Sequence, residues 1–175
     1  MNPCLISLNH RRTAEWSLPM SKPSERLKEL NLTLPGAAAP VGAYVPATRL
    51  GNMLLLSGQV PLKDGKVAFV GKVGGPGGRT IEDAQQAARL CALNAIAVGA
   101  EAAGGVDRLA RVLKVVVYVA AGEGFTEPHK VANGASDLLA DVFGEAGKHA
   151  RAAVGVASLP LDATAEVDVT FEIAG

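Results

Sequence analysis

The most regular pattern along the chain is at its end, where Ala165, Val167, Val169, Phe171 and Ile173 alternate with Glu166, Asp168, Thr170 and Glu172. A period of two predicts a strand over Thr164 to Ile173, its apolar side on a core and its polar side outward. Leu109 to Ala120 is rich in β-branched residues and sets Val115, Val117 and Val119 against Lys114, Val116 and Tyr118, a second half-buried strand. Ala152 to Ala157 reads as a shorter apolar strand between them. Nearer the start, two apolar runs within Tyr44 to Val60 flank Leu50-Gly51-Asn52, a turn that predicts an antiparallel pair. Lys63-Asp64-Gly65-Lys66 is a further turn, ahead of the apolar run Val67 to Val70.

The period changes to that of a helix in three places. Ser24 to Leu30 predicts a short helix, stopped by Pro35-Gly36. Thr80 opens the longest one, with Asp83 three positions on in a capping pattern and Gly104-Gly105 at its end. Its small residues Ala84, Ala87, Ala88, Cys91, Ala95 and Val98 recur at helical spacing and allow close approach to a sheet. Pro128 to Phe143 is the other long helix, stopped at Gly144. Strands, helix, strand, helix and two strands predict an α/β (α+β) two-layer fold, a mixed sheet with two helices packed on one face. The helices cover only that face, so an apolar opposite face has to be covered by other subunits.

Residues 1–19 differ in character from the rest of the chain, and Met20-Ser21-Lys22 resembles a start of its own. Residues 1–20 therefore read as an extension, mobile or arising from start-codon choice, and 21–175 as a single domain. Composition narrows the functions available. The 175 residues carry 17 basic and 17 acidic side chains, so the net charge is zero and a polyanion is not the expected partner. Aromatic residues make up 4%, which leaves little for stacking on bases. Cys4 and Cys91 have no paired spacing, which excludes a disulfide framework and points to a reducing, cytoplasmic compartment; Cys91 reads as a small core residue. No apolar run approaches the ~20 residues of a membrane span, and no targeting signal precedes the domain.

Several motifs fail on inspection. Gly74-Gly75-Pro76-Gly77-Gly78-Arg79-Thr80 has Val73 and Arg79 where a phosphate loop needs Gly and Lys, and Thr80 where a dinucleotide fingerprint needs Gly; it reads as a flexible lead into the helix. His10, His129 and His149 share no ligand spacing, so a metal is not expected, and His149 reads as a solvated loop residue near Arg151. Ser57 has no base identifiable in sequence. Arg151 stands at the mouth of the apolar strand Ala152 to Ala157, where its planar fork suits bidentate capture of a carboxylate. Glu166, on the polar side of the next strand, is placed to sit across from it; the competing reading is a structural Arg151–Glu166 ion pair.

Tyr44-Val45, Leu50-Gly51-Asn52-Met53 and Ser57-Gly58-Gln59-Val60-Pro61, followed by Ala150-Arg151, Val154, Val156, Leu159-Pro160 and Glu166, resemble the RidA family of enamine/imine deaminases, over residues 40 to 175. The family is also called YjgF, and its members are often labelled L-PSP endoribonucleases or translation inhibitors. The resemblance implies a chorismate-mutase-like fold, homotrimers with active sites between subunits, and cofactor-independent hydrolysis of 2-aminoacrylate and related imines to 2-keto acids and ammonia. It implies that Arg151 binds the substrate carboxylate, that the carbonyl of Ala153 holds the attacking water, and that Glu166 supports that water or protonates the leaving nitrogen. Tyr44, Ser57 and Gly58 would line the pocket. Deaminase members usually carry Cys where Ala153 stands, and a family Asn on the second helix corresponds to Asn133 or Ser136. Two other classes are weighed against the deaminase: a trimeric carboxylate-binding protein without turnover, and a ribonuclease, which the charge balance and the few aromatics disfavour.

Overall fold

A computed structural model describes residues 22–36 and 42–175; the proposed extension over residues 1–20 lies outside the described residues. Five strands form the main sheet: β1 (Ala47–Leu50), β2 (Met53–Leu56), β5 (Leu109–Ala120), β6 (Ala150–Val156) and β7 (Ala165–Ile173), in the order β1-β2-β7-β5-β6. All neighbours are antiparallel except β5 and β6. That pair is parallel because a helix, α3 (Pro128–Phe143), carries the chain back between them. β3 (Leu62–Lys63) and β4 (Lys66–Val67) form a small separate hairpin around Asp64-Gly65, both at positive φ.

The long helix α2 (Ile81–Ala103) starts where the sequence places it: the Thr80 hydroxyl accepts from the Asp83 amide at 3.1 Å, and Gly104 ends it at φ 81°. All six of its predicted core residues are buried. They meet Val167, Val169 and Phe171 of β7 and Val115, Val117 and Val119 of β5, which share one buried face. Helices α2 and α3 pack at close range: a methyl added at Gly134 would lie 2.0 Å from the Gln85 carbonyl oxygen. Asn94, buried in α2, donates to the carbonyls of Val60 and Leu62 at 3.0 and 3.1 Å and so ties the segment after β2 to the helix. A third helix, α1 (Pro23–Glu29), packs outside α3; Ser24 bonds Asp107 and Arg26 bonds the Asp141 carbonyl.

Two expectations need correction. The Gly-rich segment before α2 is a hydrogen-bonded turn and not a loose lead: Gly74 donates to the Arg79 carbonyl and Arg79 to that of Lys72. Gly78 is required there by close approach, since a methyl on it would meet the Gly74 carbonyl at 2.1 Å. The strand expected from Ala152 begins at Ala150, so Arg151 lies within β6 and not at its mouth. The face opposite the helices carries Met53 and Leu55 of β2, Val116 and Tyr118 of β5 and Val154 of β6, with Met53, Leu55 and Val154 exposed in the single chain. No helix among the described residues is long and apolar enough to cross a membrane.

Candidate active site

Arg151 lies opposite Val115 in the β5–β6 register and Ala153 opposite Val117, so both belong to the face that the helices cover. Because β6 is the edge of the sheet, the Arg151 side chain reaches past the core to α3. There its Nη1 donates to Asn133 Oδ1 at 3.0 Å and to Ser136 Oγ at 3.1 Å. Asn133 and Ser136 are three positions apart and therefore adjacent on one helix face. The structure thus brings together both helix residues that the sequence leaves as alternatives. Nη1 has two protons, and these two acceptors take both; Nε and Nη2 donate to nothing among the described residues. The guanidinium is held by neutral groups and presents one free edge, the arrangement that suits a planar carboxylate.

His149, expected in a solvated loop, is half-buried: Nε2 lies 3.0 Å from Ser136 Oγ and Nδ1 lies 2.6 Å from the Gly147 carbonyl oxygen. Burial pushes its imidazole below the ordinary histidine range, and the Arg151 charge adds to this while the Gly147 carbonyl opposes it. The sequence holds a signal for it in the His-x-Arg spacing, which becomes informative only once α3 is docked beside β6.

Glu166 takes up a different position from the one expected. It pairs in register with Tyr118 on the face away from the helices, and β5 separates β7 from β6. Within one chain Arg151 and Glu166 therefore do not face each other, and Arg151 makes no ion pair among the described residues. The Glu166 carboxyl occupies the space left by Gly58, where a methyl would lie 1.9 Å from Oε1. Leu56, Gly58, Tyr118, Leu159, Glu166 and Asp168 surround a cleft of about 310 Å³. Burial raises the Glu166 pKa above the ordinary carboxylate range and the neighbouring Asp168 charge raises it further; burial raises Asp168 as well. Tyr118 and Asp168 are additions to the expected set; Asp168 was visible two positions from Glu166 on the same outward face.

Ser57 donates its hydroxyl to the Val45 carbonyl at 2.7 Å and its amide to the Pro46 carbonyl at 2.9 Å. Its part is to hold the segment bearing Tyr44 beside β2, and Tyr44 is 54% exposed. The candidate residues thus fall into two groups, Arg151, Ala153, Asn133 and Ser136 at the β6 edge, and Glu166 with Gly58 on the outer face, to which Ser57 ties Tyr44.

A mixed sheet with its helices on one face, an edge arginine with a free guanidinium side and a half-buried carboxyl against a glycine describe a protein of the chorismate-mutase-like fold class. The family model described as "YjgF/chorismate_mutase-like, putative endoribonuclease" matches residues 24–173, and the chain belongs to this YjgF/L-PSP (RidA-like) family. It is 45% identical over 148 residues to Protein TCP17 of Trypanosoma cruzi, covering 84% of this chain and 91% of that protein. A crystal structure of a protein of unknown function from Agrobacterium tumefaciens is 48% identical with a TM-score of 0.78, over 87% of this chain and 92% of that one. A structure described as "a putative endoribonuclease" from Shewanella oneidensis is 34% identical with a TM-score of 0.82, over 87% and 99% respectively.

Proposed function

We propose that the protein is a cofactor-independent hydrolytic deaminase of enamines and imines of the 2-aminoacrylate class, releasing 2-keto acids and ammonia. The observation that carries this reading is the Arg151 guanidinium, fixed through one nitrogen by Asn133 and Ser136 and open along its other edge. A 2-imino acid offers a carboxylate to that edge and places its electrophilic carbon next to it. Water adds to the C=N carbon, and the resulting carbinolamine expels ammonia once its nitrogen is protonated, leaving the keto acid. Orientation and a placed proton donor are what such a step requires of a protein. Glu166, whose raised pKa keeps it protonated to higher pH than an ordinary carboxyl, fits the donor role. Ala153 lacks the thiol usual in deaminase members, but the role assigned to its position belongs to the backbone carbonyl.

The two groups of residues lie on opposite faces of one chain, so the reading requires a second copy to bring a Glu166 face against an Arg151 edge. It is supported by Met53, Leu55 and Val154, apolar side chains left exposed on that outer face. The assembly proposed is the homotrimer, with the small imine carboxylate as the partner bound between subunits. The endoribonuclease wording of the family name has less support, because a net charge of zero over 175 residues offers a polyanion no general attraction.

The test generates 2-aminoacrylate enzymatically and follows keto-acid release with wild type and Arg151→Ala. Wild type accelerates release, and loss of the guanidinium lowers kcat/KM by roughly a hundredfold, the value of a charged hydrogen-bonded contact of about 3 kcal/mol. Wild type without acceleration refutes the deaminase reading and favours that of a carboxylate-binding protein, and equal rates for both proteins refute the role of Arg151. Sedimentation giving the single-chain mass removes the shared site.

A further inference from the structure

The hydrogen bonds around His149 run in one direction. The Gly147 carbonyl oxygen can only accept, so the 2.6 Å contact places the imidazole proton on Nδ1. In the neutral ring Nε2 is then an acceptor, and the contact of 3.0 Å to Ser136 requires the hydroxyl to donate. With its proton committed to the ring, the Ser136 oxygen turns a lone pair to Arg151, whose Nη1 donates to it at 3.1 Å. The chain is Arg151 to Ser136 to His149 to the Gly147 carbonyl, every donor meeting an acceptor. Asn133 takes the other Nη1 proton.

We propose that His149 is a positioning residue for carboxylate binding: it fixes the Ser136 hydroxyl as an acceptor, so that Ser136 and Asn133 together hold Nη1 and leave the Nε and Nη2 edge of Arg151 to the substrate. This rests on the reading of Arg151 as the carboxylate-binding group. The charged and titratable groups on the elements around the ring are Arg151 on β6, Arg111 and Lys114 on β5, His129, Lys130, Asp137 and Asp141 on α3, and the Glu145–Lys148 ion pair on the turn before β6. Of these, Arg151 is the one that shifts the ring, and like burial it favours the neutral form. Protonation reverses the arrangement. Nε2 becomes a donor, the Ser136 proton must point elsewhere, and one oxygen is left between two cations, which drives the guanidinium off its supports. Substrate affinity therefore falls as pH drops through the His149 pKa, and the effect enters KM more than kcat.

Two measurements test the proposal on the full-length protein. Long-range proton–nitrogen spectra of the histidine-labelled protein, with His149→Gln to assign the signal, are expected to show His149 as the Nδ1-protonated tautomer with a pKa below the ordinary histidine value. Arg151→Ala should raise that pKa. Kinetics with the enzymatically generated 2-imino acid should show KM rising on the acid side for wild type. His149→Phe and Ser136→Ala raise KM on the order of tenfold at neutral pH, the value of one net hydrogen bond, with a smaller change in kcat. Ser136→Thr keeps the hydroxyl and restores KM; His149→Gln keeps an acceptor, does not titrate, and loses the acid rise. An Nε2-protonated tautomer overturns the proposal, as does an unchanged KM in both His149→Phe and Ser136→Ala while Arg151→Ala still raises it. If Arg151→Ala also leaves KM unchanged, the carboxylate reading of Arg151 has failed, and this positioning role falls with it whatever tautomer the spectra show.

Discussion

Replacing Gly134 by alanine sets two effects of opposite sign against each other. In a helix interior alanine is favoured over glycine by about 1 kcal/mol, so helix propensity alone predicts a more stable protein. Gly134, however, is where α3 meets the main chain of α2: an added methyl would lie 2.0 Å from the Gln85 carbonyl oxygen and 2.7 Å from its carbon. An ordinary contact is at least 3.4 Å, so the helices must separate by roughly 1.4 Å. The obstacle is backbone, and no side-chain rotation relieves it. A radial gap of that order forfeits half or more of the dispersion energy of the atoms facing it. The seam includes Ala84, Ala88, Val131, Ala135 and Leu138, all fully buried. Overpacking costs about 1–3 kcal/mol where side chains can yield, and more where they cannot, so after the propensity gain the net loss is about 2–4 kcal/mol. At about 2–4 °C per kcal/mol for a chain of this size, Tm falls by roughly 5–15 °C. Thermal unfolding followed by circular dichroism measures it directly. The same displacement carries Asn133 and Ser136, on either side of Gly134, away from Arg151, so KM for a 2-imino acid rises as well. A Gly134→Ala protein that melts at or above the wild-type temperature refutes the close-approach argument.

Three further outcomes are expected. Gly58→Ala pushes a methyl into the place of the Glu166 carboxyl, whose end is free to swing, so Tm changes little, while displacement of the proposed proton donor lowers kcat roughly a hundredfold; wild-type kcat would show that the Glu166 position is unimportant. Thr80→Ala removes the cap on the Asp83 amide and destabilises by about 1 kcal/mol, seen as a Tm lower by roughly 2–4 °C, and an unchanged Tm refutes the cap. Glu166 and Asp168 hold their protons to higher pH in the fold than in the unfolded chain, so the folded state binds more protons in that window and stability falls as pH rises through it. Urea midpoints at fixed protein concentration should therefore decline from the ordinary carboxylate range upward, with a shallower decline in Glu166→Gln; parallel curves would show that Glu166 does not contribute.

How much of the fold and the site was legible in the sequence depended on whether a signal was local. The period of two in β7 and the β-branched run of β5 identified the correct inward residues, because a strand covered on one side imposes that alternation. The small-residue stripe of α2 and its Thr80 and Gly104 ends were equally direct. β6 was harder. Ala152 to Ala157 is apolar on both sides and has no alternation from which to read the side of Arg151. That side follows from the parallel register with β5, a contact made over more than thirty residues of chain. The same register inserts β5 between β6 and β7 and so separates Arg151 from Glu166, which adjacent strands in sequence order would have placed together. The burial of His149 was hidden for a related reason: its partner Ser136 lies thirteen positions away on a different element, and a lone histidine carries no mark of the helix that will cover it.

The separation of the two groups of residues also constrains how copies can associate. Arg151 extends from the β6 edge toward α3, while Glu166 and Gly58 open on the outer face of β7 and β2. On the proposed reading, a contact that completes a site places the edge of one copy on the outer face of the next, so the two surfaces that meet are different. Such a heterologous contact leaves one copy with an unused outer face and the other with an unused edge, and repeating it produces either a closed ring or an open filament. A two-fold dimer formed through the outer faces alone would bury Met53, Leu55 and Val154 but would bring Glu166 faces to one another and leave both Arg151 edges unpaired. Burial of the apolar face and completion of the site, with no surface left over, are satisfied together only by a ring, which is why the stoichiometry and the chemistry of this chain have to be tested as one question.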